Sequence, residues 1–130
     1  MPRGLLLENT FLSVSAVVDA WFPIIAFESI KARFLRLRWD TLERIKSLEV
    51  PVLFLCGGKD EMIPSWHSEV LLSSAEKASL KRRAVFPEGR HNDTWEMGGA
   101  RYWDEQASFL AECSTSRCAE ASEPTPPPDV

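Results

Sequence analysis

Apolar residues along the chain alternate between short continuous runs and helical repeats. Three runs have the length of buried strands: Leu5–Leu7, Val52–Leu55 and residues 83–86. The second run starts directly behind Pro51, a position that a strand tolerates because its first residue can lack the ladder hydrogen bond. The pattern predicts three short strands, of which the first two are buried on both faces.

Helical spacing appears between the first two runs. A first helix is predicted over residues 13–22, where apolar side chains recur at i, i+3, i+4 and i+7 before Pro23 ends the helix. A second helical stretch over residues 30–37 is rich in lysine and arginine. Asp40 with Glu43 three residues later forms the N-cap and capping box of a third, short helix.

Two further helices follow the second and third runs. The fourth helix opens at Ser65, and its predicted buried face consists of Trp66, Val70 and Leu71. The fifth helix runs from about Glu96 to Cys113, and its predicted buried face consists of Trp103, Ala107 and Leu110. Residues 114–130 contain four prolines and no apolar period, so we predict one domain over residues 1–113 and a disordered tail.

The alternation of strands and helices predicts an α/β fold with parallel strands and crossover helices on both faces. With 45% hydrophobic and 26% charged residues, the 130-residue chain has the composition of a soluble globular domain. The net charge of −4 disfavours a nucleic-acid partner. The three cysteines lack ligand spacing, so no metal, cofactor or disulfide framework is predicted. No apolar run reaches the roughly 18 residues of a membrane span, and no signal indicates a compartment.

Side chains with catalytic potential follow the second and third strands. Asp60 lies in the turn after Val52–Leu55, and His91 lies in the loop after residues 83–86. Because loops at the carboxyl ends of parallel strands meet at one edge of a sheet, we expect these side chains to lie close together. A carboxylate that accepts from one ring N–H prepares the other ring nitrogen as a general base. The sequence therefore predicts a catalytic acid and base, although a lone histidine is most often an ordinary loop residue.

Three stretches, GLLLENTFLSV, VPVLFLCGGKDEMIP and FPEGRHNDTW, resemble the carboxyl-terminal half of the α/β-hydrolase superfamily, and within it the abhydrolase domain-containing protein 13 (Bem-type) group. The resemblance covers about Gly4 to Ala111 and implies strands six to eight of the hydrolase sheet. It also implies Asp60 as the triad acid and His91 as the triad base of a serine hydrolase that acts on acyl esters or thioesters. Members of this group are often anchored to a membrane by an amino-terminal segment. Residues 31–38 could accordingly contact a membrane surface, although a basic, solvated helix face is more common.

The nucleophile of such an enzyme is missing from the sequence. A hydrolase of this type presents its serine on a Gly-x-Ser-x-Gly turn, and none of the six glycines has a serine two residues away. Two interpretations follow. In the first, the chain is the carboxyl-terminal part of a serine hydrolase and is inactive alone. In the second, it is a non-catalytic fragment that binds a protein partner through the open sheet edge at Leu5–Leu7.

Overall fold

The structure, a computed structural model, describes residues 3–22 and 39–120, with the backbone alone for residues 116–120. Its elements in chain order are β1 (Leu5–Glu8), α1 (Val14–Trp21), α2 (Thr41–Ile45), β2 (Val52–Gly57), α3 (Trp66–Ser74), β3 (Lys81–Phe86) and α4 (Thr94–Glu120). The three strands predicted from sequence are confirmed. The predicted basic helix over residues 30–37 lies outside the described residues.

The strands form one parallel sheet in the order β1-β2-β3. Glu8 pairs with Leu55, and Gly57 pairs with Phe86, so the carboxyl ends of the strands lie at the same edge. The loops that follow β2 and β3 therefore leave the sheet side by side. These are the loops that contain Asp60 and His91.

Side chains of the central strand enter two separate cores, because every residue of β2 is buried and successive side chains point to opposite faces. The core on the α4 side contains Leu53, Leu55, Ala84, Phe86, Tyr102, Phe109 and Cys113. The core on the α2 and α3 side contains Ile45, Val52, Phe54, Cys56, Leu71 and Ala75. The α/β fold with helices on both faces of a parallel sheet is thus confirmed.

Strand β1 is covered on one face more than on the other. Leu5 and Leu7 pack against the core on the α2 and α3 side. Leu6 is 38% exposed, because α4 packs on β2 and β3 rather than on β1. The prediction of a strand buried on both faces is wrong for Leu6 within the part of the chain that the structure describes.

Helix α4 buries a different face from the one predicted. Tyr102, Phe109 and Cys113 lie in the core, whereas Trp103 and Leu110 are 57% and 53% exposed. The predicted stripe and the buried stripe are offset by one residue along the helix, so apolar periodicity alone does not indicate which of them faces the core. The choice follows from packing: the Tyr102 ring contacts Phe86, with ring centroids 5.5 Å apart.

Helix α4 also differs from the prediction at its kink and at its end. Gly99 has a φ of 52° and interrupts the helical backbone, a conformation that glycine adopts without a steric cost. The helix then continues beyond Cys113 to Glu120, because residues 114–120 contain neither glycine nor proline. The remainder of the predicted tail, residues 121–130, lies outside the described residues.

Helix α3 likewise turns a partly polar face inward. Trp66 is 48% exposed and Val70 is 37% exposed, so of the three predicted core residues Leu71 alone is buried. His67 and Ser68 take their places. The Ser68 hydroxyl accepts a hydrogen bond from Arg83 Nε at 2.7 Å and lies 2.9 Å from Cys56 Sγ, and these contacts replace the lost apolar packing.

Of the residues predicted to start helices, Ser13 and Asp40 cap their helices with a side-chain hydrogen bond, whereas Ser65 begins α3 without one. Ser13 Oγ accepts from the backbone N–H of Ala16 at 3.1 Å, and Asp40 Oδ1 accepts from that of Glu43 at 3.2 Å. Each bond satisfies a donor that the first helical turn cannot pair internally. Among the described residues, no helix has both the length and the apolar character that a membrane span requires.

Candidate active site

The turn after β2 holds the carboxylate of Asp60 in one orientation. The Asp60 side chain is fully buried, with 0% exposure. Its Oδ1 atom accepts hydrogen bonds from the backbone N–H groups of Met62 at 2.8 Å and Ile63 at 2.7 Å. This turn, residues 58–63, is the acid loop. Its two bonds leave Oδ2 to face a different partner.

That partner is His91, in the loop of residues 87–93 that we call the base loop. His91 Nδ1 lies 2.8 Å from Asp60 Oδ2. A proton on Nδ1 satisfies this contact, which leaves Nε2 with its lone pair as a proton acceptor. The His91 side chain is 28% exposed, so the ring is supported on one side and accessible on the other. The structure thus brings the two predicted residues together, and their catalytic roles stay a prediction.

The acid loop and the base loop are joined directly through their backbones. The N–H of Lys59 donates to the carbonyl of Gly89 at 2.9 Å, and Lys59 also forms an ion pair with Glu88. A Cβ atom on Gly57 would lie 2.5 Å from the Gly89 carbonyl oxygen, so the backbones approach as closely as glycine permits. The separation between acid and base is therefore set by main-chain contacts as well as by their side chains.

A third strand end reaches the same place through Asn9, a residue that the sequence patterns did not single out. Asn9 follows β1 directly and has a φ of 43°. Its side-chain amide bonds at 2.9 Å each to three groups: the backbone N–H of Gly57, the carbonyl of His91 and the hydroxyl of Thr94. A longer contact of 3.5 Å joins its Nδ2 to the carbonyl of Arg90. A polar residue at the end of a strand was the signal that could have identified it.

An open cavity of about 700 Å³ adjoins His91. Helix α1 forms one apolar wall of this cavity with Val14, Val17 and Val18. Other apolar lining residues are Phe11, Trp39, Met62, Ile63 and Trp95. Trp39 is 63% exposed and also lines the cavity. Helix α1 is attached to the acid loop, because Trp21 Nε1 donates to the carbonyl of Met62 at 3.0 Å.

His67, the second histidine of the chain, is buried and was not anticipated from sequence. Its Nδ1 accepts from the backbone N–H of Leu12 at 3.2 Å, while its buried Nε2 has no hydrogen-bond partner in the part of the chain that the structure describes. Burial lowers the pKa of His67, and the nearby Asp60 carboxylate opposes this effect. The Leu12 carbonyl also accepts a hydrogen bond from the N–H of Leu42 at 3.0 Å, which joins Leu12 to α2.

The cysteines near the sheet have no feature of a nucleophile. Cys56 and Cys113 are both buried free thiols. Burial raises the pKa of each thiol, which keeps it protonated at neutral pH. Among residues 3–22 and 39–120 there is also no group of three or more His, Cys, Asp or Glu side chains that could hold a metal ion.

Three proteins are similar in sequence to this chain. The alpha/beta hydrolase domain-containing protein WAV2 of Arabidopsis thaliana is 33% identical over 127 residues, which cover 90% of this chain and 41% of WAV2. Protein bem46 of Schizosaccharomyces pombe is 38% identical over 110 residues, which cover 84% of this chain and 35% of bem46. An uncharacterized membrane protein of Saccharomyces cerevisiae is 38% identical over 111 residues, which cover 84% of this chain and 37% of that protein. The chain thus spans between 35% and 41% of the length of these relatives.

A solved structure shows the same fold. The uncomplexed acylaminoacyl peptidase of Pyrococcus horikoshii superimposes with a TM-score of 0.56 at 17% sequence identity. The match covers 85% of this chain and 19% of the peptidase. No family model matches the chain.

Proposed function

Because this chain is related to the α/β-hydrolases, we propose that it contributes the acid and the base of a serine hydrolase active site. In this proposal Asp60 orients His91, and His91 acts as general base on a serine that is not part of this sequence. The observation that carries the proposal is the 2.8 Å contact between His91 Nδ1 and the buried Asp60 Oδ2. The position of both residues at strand ends of the parallel sheet supports it further.

The chemistry follows from the tautomer that this contact selects. With its proton on Nδ1, His91 can accept a serine proton at Nε2 while the serine oxygen attacks an acyl carbon. The buried Asp60 carboxylate then stabilises the imidazolium, and His91 returns the proton to the leaving group. The backbone N–H donors on Asp60 Oδ1 keep the carboxylate in place during both steps.

The cavity supports an acyl ester or thioester as the substrate. Its apolar wall on α1 suits a hydrocarbon chain, and His91 at its margin would lie next to the carbonyl group. A hydrophobic cavity with a few polar groups at one end is the usual form of a small-molecule site. Contact of the complete protein with a membrane surface is part of the same proposal and follows from the basic residues 31–38 of the sequence.

The test is a fusion of this chain behind a hydrolase amino-terminal half that carries Gly-x-Ser-x-Gly. We expect the fusion to hydrolyse a short acyl ester, whereas the 130-residue chain alone shows no turnover and no fluorophosphonate-labelled serine. In the fusion, His91→Ala and Asp60→Asn should each lower turnover by about 10³-fold or more. The matched control is Arg90→Lys, because the Arg90 side chain is exposed in the base loop next to His91 and is not among the residues that line the cavity. Equal turnover with and without the His91 imidazole would refute the proposal.

A second function is favoured by the sheet edge. Within the described residues, β1 pairs with β2 on one side and has no strand on the other, and Leu6 is exposed. Such an edge can add a strand from a protein partner without any catalysis. This alternative predicts that the chain self-associates, that Leu6→Lys weakens this association in sedimentation velocity, and that the fusion described above is inactive.

A further inference from the structure

One amide side chain connects the ends of β1 and β2 with the base loop and α4. Asn9 Oδ1 accepts the backbone N–H of Gly57 at 2.9 Å. Asn9 Nδ2 donates to the carbonyl of His91 and to Thr94 Oγ1, at 2.9 Å each. Thr94 is completely buried, so this network is closed to solvent on the α4 side.

The residue type fits this position for two independent reasons. An amide offers an acceptor and a pair of donors on the same short side chain, and the three contacts of Asn9 use both kinds of group. Its φ of 43° lies in the left-handed region, which asparagine tolerates better than other residues with a side chain. Aspartate keeps the length and the acceptor but loses the donors. Glycine keeps the backbone conformation but loses every contact.

We propose that Asn9 is a positioning residue, which fixes the base loop to the end of β2 and thereby keeps His91 Nδ1 on Asp60 Oδ2. The importance of Asn9 for catalysis rests on the proposed function, whereas its positioning of the base loop does not. Asn9 touches neither imidazole nor carboxylate. It acts on the main chain on both sides of the pair, at the carbonyl of His91 and at Gly57, where the acid loop begins.

Main-chain attachment matters because His91 is supported on one side. Its ring has a single protein hydrogen bond among the described residues, the bond to Asp60. The side chain can rotate away if the backbone beneath it moves by a fraction of an ångström, and catalytic geometry is sensitive to displacements of that size. The hydrogen bond from Asn9 Nδ2 to the His91 carbonyl oxygen restrains this backbone and so limits the rotation of the side chain.

The experiment measures the reactivity of His91 in the 130-residue chain by carbethoxylation with diethylpyrocarbonate, followed by peptide mass spectrometry. The chain has two histidines, and His67 is 1% exposed, so protection of His67 reports that the fold is intact. Every variant is labelled at the same pH, so that differences in the His91 rate report changes around its ring nitrogens. Asp60→Asn supplies the reference change in the His91 rate.

We expect Asn9→Gly to change the His91 labelling rate in the same direction as Asp60→Asn does. The change in the logarithm of the rate should be at least about half of that caused by Asp60→Asn, and His67 should remain protected. In the double variant Asn9→Gly should add almost nothing, since both substitutions act through one contact. The control Arg90→Lys changes an exposed side chain of the base loop outside the cavity lining, keeps its charge and should leave the rate unchanged.

Other outcomes decide against the inference in distinguishable ways. An unchanged His91 rate in Asn9→Gly, beside a changed rate in Asp60→Asn, overturns the positioning role and leaves the proposed function intact. An unchanged rate in Asp60→Asn contradicts the pair itself and overturns both proposals. If Asn9→Gly exposes His67, Asn9→Asp decides, because it keeps the acceptor for Gly57 and loses the donors: a rate equal to that of the unsubstituted chain then overturns the role.

Discussion

Tyr102 of α4 donates a hydrogen bond from its hydroxyl to Glu8 Oε2 of β1 at 2.9 Å. This bond joins the helix that covers β2 and β3 to the strand that it does not cover. Burial, together with the Glu8 carboxylate, raises the pKa of Tyr102 to about 12, so the hydroxyl keeps its proton throughout the neutral range. The hydroxyl is therefore available as the donor to Glu8 throughout the neutral range.

Tyr102→Phe should lower the free energy of unfolding by about 1 kcal/mol, because it removes the hydroxyl and leaves the buried ring in place. Urea unfolding followed by tryptophan fluorescence measures the change. Trp103→Phe, at the adjacent exposed position, is the control for altered fluorescence and should cost less than about 0.5 kcal/mol. Equal stability of the Tyr102→Phe variant and the unsubstituted chain would show that the bond to Glu8 contributes nothing.

His67 should make the fold less stable in mild acid. Burial holds its pKa below the ordinary value of 6.5, so the unfolded chain takes up a proton before the folded chain does. Stability from this group is therefore present above pH 6.5 and is lost as the pH falls below it. His67→Asn, whose Oδ1 can take the place of Nδ1 as acceptor for the Leu12 N–H, should flatten the decline in the free energy of unfolding between about pH 7 and pH 5. His91→Gln is the matched control, and in it the part of the decline in unfolding free energy that comes from His67 should be unchanged.

Gly57→Ala should separate the acid loop from the base loop. The new methyl group would lie 2.5 Å from the Gly89 carbonyl oxygen. That oxygen is a backbone atom, and the backbone of residue 57 fixes the position of the methyl group, so neither can move as a flexible side chain does. We expect a loss of about 2 to 3 kcal/mol in unfolding free energy. Lys59→Ala, an exposed neighbour with one ion pair, should cost less than about 1 kcal/mol. A Gly57→Ala variant as stable as Lys59→Ala would contradict the close contact.

The cavity should bind an uncharged alkyl chain. Trp39 and Trp95 line it, so titration with 1-decanol should change the tryptophan fluorescence. Val17→Asp places a charge in the α1 wall and should weaken binding by about tenfold or more. Val70→Asp introduces the same charge on the exposed side of α3, outside the lining residues, and should bind as the unsubstituted chain does. Equal weakening in both variants would mean that the probe binds elsewhere.

The sheet and the contact between Asp60 and His91 could be predicted because both depend on local rules that leave marks in the sequence. A continuous apolar run marks β2, whose residues are all buried, shorter apolar runs mark β1 and β3, and the geometry of parallel strands brings the following loops to one edge. The resemblance to the α/β-hydrolases, based on the same stretches, is confirmed by the relatives and by the fold. The catalytic roles themselves are not consequences of strand order and stay with the proposal.

The inward faces of α3 and α4 could not be predicted in the same way. Apolar periodicity assumes that a helix buries its most hydrophobic stripe, yet α3 buries His67 and Ser68. Their polar atoms bond to groups that are distant in sequence, such as the Leu12 N–H and the Arg83 guanidinium. The part played by Asn9 was missed for the same reason, since its partners Gly57 and Thr94 become neighbours only in the folded sheet.

The double attachment of Leu12 has an evolutionary consequence. Its N–H is bonded to His67 and its carbonyl to Leu42, so the chain before residue 13 and the chain after residue 41 are held together at one point. Val14, Val17, Val18 and Trp39 of the cavity wall lie between these positions in the sequence, whereas Asp60 and His91 do not. A lineage could therefore exchange or lengthen the sequence between residues 13 and 41, and so diversify what the cavity accepts, while the contact between Asp60 and His91 remains undisturbed.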